Sequence, residues 1–473
     1  MPDFNLAAIA RQEMLARGFE PDFPPEAMKQ LNAIHPRVDP GLRDLTGLLW
    51  SSIDNDDSRD LDQIEWAERV AGGVRVLVAV ADVDSAVEKD TPIDKHAAFE
   101  TTTVYTGVRV FPMLPERLST DLTSLNEDGD RAAVVIEFVV APDGTVNGSS
   151  IYRALVRNKA QLTYSGVGPW LEGKGAPPPK VAASAELQTQ LKMQDEAARA
   201  LCEERHRLGA LSFDRVEPQA VMENGQVRDI RARAHNQASS LIEDFMIAAN
   251  SVMARTLREA GMSSIRRVVK APERWARIVE LAAQHGVKLP PEPDSAALNR
   301  FLLKQRDADP VHYPDLSLAV LKLMGPGEYI CYRPGDDPQG HFGLAALDYT
   351  HSTAPNRRFA DLVTQRLLKR VPYSDSELDA VARNCTLKED AARKVQRDMV
   401  KRIAAVALRG RIGQTFAGVV TGDTPKGVFV RVTDPPVEGR VVRGEEGMDV
   451  GDRVRVKLLN TDPERGYIDF GRA

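Results

Sequence analysis

Five aspartates fall within nine positions, Asp54, Asp56, Asp57, Asp60 and Asp62, just ahead of a strand-like run from Val74 to Val80. Carboxylates this close repel one another, so a fold that keeps them together must bring positive charge to the same place. Asp54, Asp60 and Asp62 share the parity of one strand face, yet a straight strand would hold Asp54 roughly 20 Å from Asp60. Asn55, Asp57 and Ser58 are turn formers that can fold the segment back and let the three side chains converge. Converging hard oxygen donors suit Mg²⁺ or Mn²⁺, and several together suit a metal pair about 4 Å apart, an arrangement for phosphoryl chemistry. Two rival readings are a solvated acidic turn and a calcium loop counted from Asp54 through Asp56, Ser58, Asp60 and Glu65. The calcium loop fails at Arg59, where its sharp bend requires glycine.

The chain of 473 residues is long enough for two to four domains, each with its own core. No apolar run is long enough to span a bilayer, so no membrane partner is expected. The N-terminus lacks the basic-then-apolar pattern of a secretory leader. Cys202, Cys331 and Cys385 are too few and too scattered for a disulfide framework or a zinc site, which points to a reducing cytoplasm. A net charge of −6 argues against indiscriminate nucleic-acid binding but leaves room for a local basic channel.

Three segments are expected. Residues 1–45 form a small helical unit, with Leu6, Ile9, Met14 and Leu15 as an apolar face, Gly18 as a stop and a second helix from Pro25 to Ile34. A helix-turn-helix that binds DNA is the weaker reading of this unit, because short helix pairs mostly serve packing. Residues 46–410 are the main body. Its first third is strand-rich, with runs at Val74–Val80, Val104–Val110 and Ala133–Val140, and the remainder is mainly helical. Thr353 and Pro355 read as the cap and opening of a helix, placing Arg357 and Arg358 near its positive end. Residues 411–473 change character, with five short strand signals separated by Gly and Asp turns, the pattern of a small OB-type barrel. The fold class is therefore multidomain α+β: a helical N-terminal unit, an α/β core and a C-terminal β-barrel.

Four ordered motifs in the body carry a resemblance. They are Ile53-Asp-x5-Asp60-Leu-Asp62, Phe111-Pro-Met-Leu-Pro-Glu-Arg-Leu-Ser119, Ile242-Glu-Asp-Phe-Met-Ile-Ala-Ala-Asn250, and His341-Phe-Gly-Leu followed by Tyr349-Thr-His-Ser-Thr-Ala-Pro-Asn-Arg-Arg-Phe-Ala-Asp-Leu362. Together they resemble the catalytic RNB domain of the ribonuclease II family, and Gly413 to Phe470 is similar to its closing S1-type OB domain. The resemblance implies a processive 3′-to-5′ exoribonuclease that hydrolyses single-stranded RNA to nucleoside 5′-monophosphates. It also implies Mg²⁺, with Mn²⁺ as the alternative, and a monomer. By position, Asp54, Asp60 and Asp62 match three metal-site aspartates, and Asp62 matches the one most closely tied to turnover. Tyr105 matches the aromatic that clamps the terminal nucleotides, and Phe213, in Leu-Ser-Phe-Asp-Arg, the aromatic that stacks on the other end of the tail. Glu243 matches a ribose contact and Arg357 the arginine on the scissile phosphate, with Arg358 beside it.

The sequence departs from the family in several places. The fourth aspartate is Gln63, a neutral candidate ligand, and the residue before the phosphate arginine is Asn356. The Arg-x-His-x-x-Pro pattern becomes Arg267-Val-Val-Lys-Ala-Pro272, and a late-helix glutamate becomes Gln396. Paired cold-shock domains are expected to be absent, with about 45 residues standing before the catalytic segment. These departures sustain a second reading, a catalytically silent RNA-binding regulator that keeps the channel. Asp54, Asp60, Asp62 and Arg357 together favour the enzyme, since a binding module has no need of the whole set.

Overall fold

Gln63–Val70 and the nearly continuous apolar run Gly73–Ala81, buried on both faces, pair as an antiparallel hairpin, with Gln63 opposite Val80 and Val70 opposite Gly73. A Cβ at Gly73 would sit 2.0 Å from the carbonyl oxygen of Val140, so only glycine admits the next strand, Asp130–Val140, so closely. Val146–Thr163, 18 residues long, pairs antiparallel with Asp130–Val140 along its first part and parallel with Trp50–Asp54 along its last. The sheet thus curls back on itself. Helix Gln237–Glu259 packs Leu241, Phe245, Ala249 and Val252 into the same core, and its start is fixed by a capping box between Asn236 and Ser239. Where Gln63–Val70 outruns its neighbour, the Gln190 amide bonds both the N–H and the carbonyl of Ala67 and closes that edge.

The computed structural model describes residues 4–35, 41–213, 217–223, 226–233, 235–310, 312–425 and 427–473. Residues 36–40 of the N-terminal stretch, and Asp214 and Arg215 beside Phe213, lie outside these. Helices Trp275–Gln284, Ser295–Ala308 and Tyr313–Leu323 share a second core. The 34-residue helix Asp375–Leu408, capped by Ser374 and Glu377, runs from the sheet to the terminal domain. There Thr415–Thr424, Gly427–Val432, Val437–Arg443, Arg453–Asp462 and Tyr467–Arg472 close a five-stranded barrel around Val430, Val456, Leu458 and Phe470.

The N-terminal helices Leu6–Ala16 and Pro25–Ala33 divide their apolar residues between two clusters. Leu6, Ala10 and Met14 join the barrel and the long helix, whereas Ala27 and Leu31 join the sheet core. Leu15, expected on the apolar face, is 47% exposed, and Ala10 takes its place. The run Val104–Val110 is not one strand. Gly107 turns it at φ +79° into a short hairpin, Val104–Tyr105 against Val110–Phe111. The helix expected to open at Pro355 begins at Phe359, with Arg358 extended as its cap residue. The cause is a bridge to the neighbouring loop: Thr103 donates to the carbonyl of Arg357 and Phe359 to that of Thr101, holding Arg358 out of helical geometry. Cys202, Cys331 and Cys385 are free thiols, and no described helix is long and apolar enough to cross a membrane.

Candidate active site

The acidic segment leaves the sheet at Asp54 and returns to it at Gln63. Ser58 donates its backbone N–H to the Asn55 carbonyl, making the expected turn, and Asp54 Oδ1 accepts from the Asn55 N–H at 2.7 Å and the Ser58 hydroxyl at 3.0 Å. Downstream the chain is gripped by the loop after the Pro-Met-Leu-Pro motif. The Leu61 N–H donates to Ser124 Oγ at 2.9 Å, and the Leu61 carbonyl accepts from Leu125 N–H. These bonds set the direction in which Asp60 and Asp62 point.

Asp62 is 1% exposed. Its Oδ1 accepts the backbone N–H of Asn356 at 2.9 Å, and its Oδ2 accepts from Arg357 Nε at 3.2 Å. Asn356 is itself fully buried and accepts from the Thr123 hydroxyl at 2.6 Å. The turn before helix Phe359–Leu368 is thereby fastened both to the acidic segment and to its supporting loop. The Arg357 side chain stays 43% exposed, so the group that holds Asp62 also faces solvent. Asp60 Oδ2 accepts from the Tyr105 hydroxyl at 2.8 Å, and Tyr105 is 40% exposed. A carboxylate pair, an arginine and an aromatic ring therefore meet at one accessible point.

The electrostatics tie the same residues together. Burial pushes the Asp62 carboxyl up to about 7, with Arg357 opposing and Asp60 adding to the rise. Asp54 is raised by burial, against the pull of Asn55, Ser58 and Arg357, and again Asp60 adds to the rise. Burial works against the charge on Arg357, but Asp62, Tyr105, Asp54 and Asp60 outweigh it and hold the guanidinium more firmly protonated than usual. Three hard carboxylates, one of them stripped of water, form a donor set whose chemistry fits a divalent cation. Their placement is not a finished cage: among the described residues no three Asp, Glu, His or Cys side chains are grouped to hold a metal ion. Asp62 spends both oxygens on protein donors, and Asp54 Oδ1 and Asp60 Oδ2 accept from protein donors as well.

The remaining expected residues lie elsewhere. Gln63 is buried at the first position of its strand, 7% exposed. Arg358 donates to the buried Asp361 at 2.8 Å rather than standing free beside Arg357. Phe213 packs against the helical cluster around Trp275 and Phe301. Glu243 is exposed on helix Gln237–Glu259, next to the buried Asp244–Arg205 ion pair. His341 Nδ1 accepts from the Leu344 N–H, and His351 Nδ1 contacts the Tyr329 hydroxyl at 2.7 Å. Sequence reasoning missed Thr123, Ser124 and the backbone of Asn356. The first two stand just beyond a motif already recognised; the third is a main-chain group, which leaves no trace in side-chain identity.

Residues 42–374 match the family model of the RNB domain, and residues 414–473 match that of the RNase II-type exonuclease C-terminal S1 domain. The chain is 28% identical over 493 residues to Ribonuclease R 1 of Lactococcus lactis, covering 95% of this chain and 59% of that protein. It is 30% identical to Ribonuclease R of Escherichia coli, covering 91% of this chain and 57% of that protein. The chain thus spans a little under three-fifths of the length of these relatives. In structure it resembles Mycoplasma genitalium RNase R in complex with ribose methylated single-stranded RNA, with a TM-score of 0.89 at 23% identity over 99% of this chain and 78% of the other. It also resembles yeast Ssd1, a pseudonuclease, with a TM-score of 0.72 at 18% identity over 98% of this chain and 58% of the other.

Proposed function

The chain belongs to the RNB-domain family, and on that premise we propose that it is a processive 3′-to-5′ exoribonuclease that releases nucleoside 5′-monophosphates from single-stranded RNA. The observation that carries the proposal is the half-exposed Arg357 laid across the buried Asp62, with Tyr105 and Asp60 beside them. Arg357 binds the scissile phosphate and offsets the negative charge that develops on it. Tyr105 stacks on a terminal base and sets the reacting bond over Asp62. Asn356 and Thr123 keep Asp62 from turning away. Asp54, Asp60 and Asp62 would hold Mg²⁺ or Mn²⁺, with Gln63 as a neutral addition. When bound, such a cation supplies Lewis acidity toward the phosphate and an activated water.

Phe213, Glu243 and Arg358 are assigned to the RNA path, away from the reacting bond, and the terminal barrel to RNA binding. The protein acts as a cytoplasmic monomer under this reading. Two observations favour the second reading, a silent RNA-binding regulator: Gln63 removes one anionic ligand, and a pseudonuclease shares the fold. End-labelled single-stranded RNA incubated with Mg²⁺ or Mn²⁺ decides between them. The enzyme yields labelled mononucleotides from 3′-labelled RNA and a short limit product from 5′-labelled RNA. Intact RNA with both metals, despite binding in a gel shift, would establish the regulator.

A further inference from the structure

We infer that Glu65 is a further acidic residue of the metal-binding face, joining Asp54 around the divalent cation and supplying the negative charge that Gln63 lacks. The inference rests on the exoribonuclease reading and deepens it, because it answers the loss of an anionic donor at Gln63.

Glu65 is 1% exposed and lies in the strand Gln63–Val70. Residues two apart on a strand share a face, so Glu65 stands on the side of Gln63, about 6.6 Å along. The pairing with Gly73–Ala81 runs without a shift, so no bulge turns the two side chains apart. On that side the neighbouring strand offers only Val80, opposite Gln63, and Val78, opposite Glu65, neither with a polar side-chain atom. On its other edge Glu65 stands opposite Ser51, in the strand that ends at Asp54. Ser51 is buried as well, and neither its hydroxyl nor Oε1 of Glu65 has a hydrogen-bond partner.

A carboxyl group so placed stands apart from the rest of the fold. The other buried carboxylates among the described residues each lie within 4.0 Å of a cationic side chain, as Asp82 does with Arg153, Asp94 with Arg366 and Asp244 with Arg205. Glu65 makes no ion pair among the described residues. The charge that acts on it is another carboxylate: burial raises the Glu65 carboxyl well above its usual range, and Asp54 adds to the rise. Two neighbouring buried acids without a cation destabilise a fold, and a divalent ion held by both relieves them. Gln63 and Glu65 together then place one negative charge on this face of the strand, so the charge is moved by two residues rather than lost. A buried water between Glu65 and Ser51 is the rival explanation, and it calls for no response to metal.

The test uses the full chain without RNA and follows Mn²⁺ binding through the electron paramagnetic resonance signal of the free ion. Glu65→Gln keeps the shape of the side chain and removes its charge, and it should weaken Mn²⁺ binding about tenfold or more, the scale set by carboxylates that support a metal site. Its melting temperature and its RNA affinity in chelator should match wild type, whereas the rise in melting temperature that Mn²⁺ gives wild type should shrink. Gln63→Asp/Glu65→Gln returns a charge to the same face and should regain most of the lost affinity, which a packing role for Glu65 does not predict. If Glu65→Gln folds poorly, Glu65→Leu, of similar volume and with no polar atom to satisfy, should show the same loss. Native Mn²⁺ affinity in either single variant, or a double variant no better than Glu65→Gln, would overturn the inference. Release of mononucleotides by wild type would still uphold the exoribonuclease reading in that case. Wild type that binds Mn²⁺ through Glu65 yet releases no mononucleotide would keep the acidic pair and bring down the exoribonuclease reading instead.

Discussion

Asp62→Asn replaces one atom and removes one charge. In the native geometry the two carboxylate oxygens accept from different donors, the Asn356 N–H at 2.9 Å and Arg357 Nε at 3.2 Å. An amide has only one acceptor oxygen. If that oxygen keeps Asn356, the new NH₂ faces the guanidinium of Arg357. If it keeps Arg357, the NH₂ faces the buried N–H of Asn356, and an unmet buried donor costs about 1–3 kcal/mol. Neither rotamer restores both bonds. The charge itself matters more: two unit charges about 4 Å apart interact by about 4 kcal/mol at an effective dielectric constant of 20. If that attraction serves the transition state and not substrate binding, its loss corresponds to about a thousandfold in kcat. RNA affinity should hold or rise, since the incoming phosphate meets one anion fewer. The fold should also hold, because burial already disfavours the carboxylate that the change removes. The assay is single-turnover release of 5′-monophosphates with Mg²⁺, beside a binding titration and a thermal melt in chelator. A variant within tenfold of wild type in rate would refute the reasoning and move the chemistry away from Asp62.

Tyr105→Ala should lengthen the limit product, because each lost base stack weakens the grip by about 1–3 kcal/mol; an unchanged product length on a sequencing gel would make Tyr105 a packing residue. Tyr105→Phe keeps the ring but gives up the bond to Asp60, so product length should stay native while the rate falls about tenfold, from the loss of about 1.5 kcal/mol to a charged acceptor. Gln63→Asp should lower the Mg²⁺ concentration for half-maximal rate, and a titration that does not move would show that Gln63 does not serve the metal site. Arg366 is fully buried and bonds Asp84 at 2.9 Å, Asp94 at 2.7 Å and the Val87 carbonyl at 2.7 Å. Arg366→Leu should therefore cost about 3–5 kcal/mol of stability, chiefly by leaving the buried Asp94 without its cation, since Asp84 keeps Lys369. Urea unfolding checks this, and Arg366→Leu/Asp94→Asn should recover part of the loss.

The parts of the site that could be read from the sequence were those written in contiguous residues. Asp54, Asp60 and Asp62 announce themselves because three carboxylates in one short loop have few structural uses, and the Asn55–Ser58 turn follows from local chemistry. The barrel was readable for a similar reason, since its alternation and its glycine turns are local. What joins Asp62 to Asn356 was hidden, because 294 residues separate them and the donor is a main-chain N–H. The helix start after Pro355 was misplaced because a bridge to Thr102, from a distant segment, outweighs the local cap signal. The strand Val146–Thr163 was missed although its signal is present. Ala154, Val156, Ala160 and Leu162 point inward at alternate positions, but Arg153, Arg157 and Lys159 between them disguise the run as polar.

The cluster that unites Leu6, Ala10, Met14 and Phe19 with Phe416, Val430 and Phe470 has a bearing on how the molecule is made. About four hundred positions separate the two groups. On the ribosome, the first helix emerges with an apolar stripe long before the helix Asp375–Leu408, whose Val395, Met399 and Ile403 share its cluster and whose Asp398 and Arg402 pair with Arg17 and Glu13. The sheet core needs no such delay, since Trp50, Val76, Ile136 and Val156 are close in order of synthesis. Nascent chains halted before Asp375 should thus leave residues 6–19 open to protease, whereas the finished chain protects them. Completion of the long helix Asp375–Leu408 is then the event that fixes the first helix, and with it the neighbouring hairpin Val104–Tyr105/Val110–Phe111, in place.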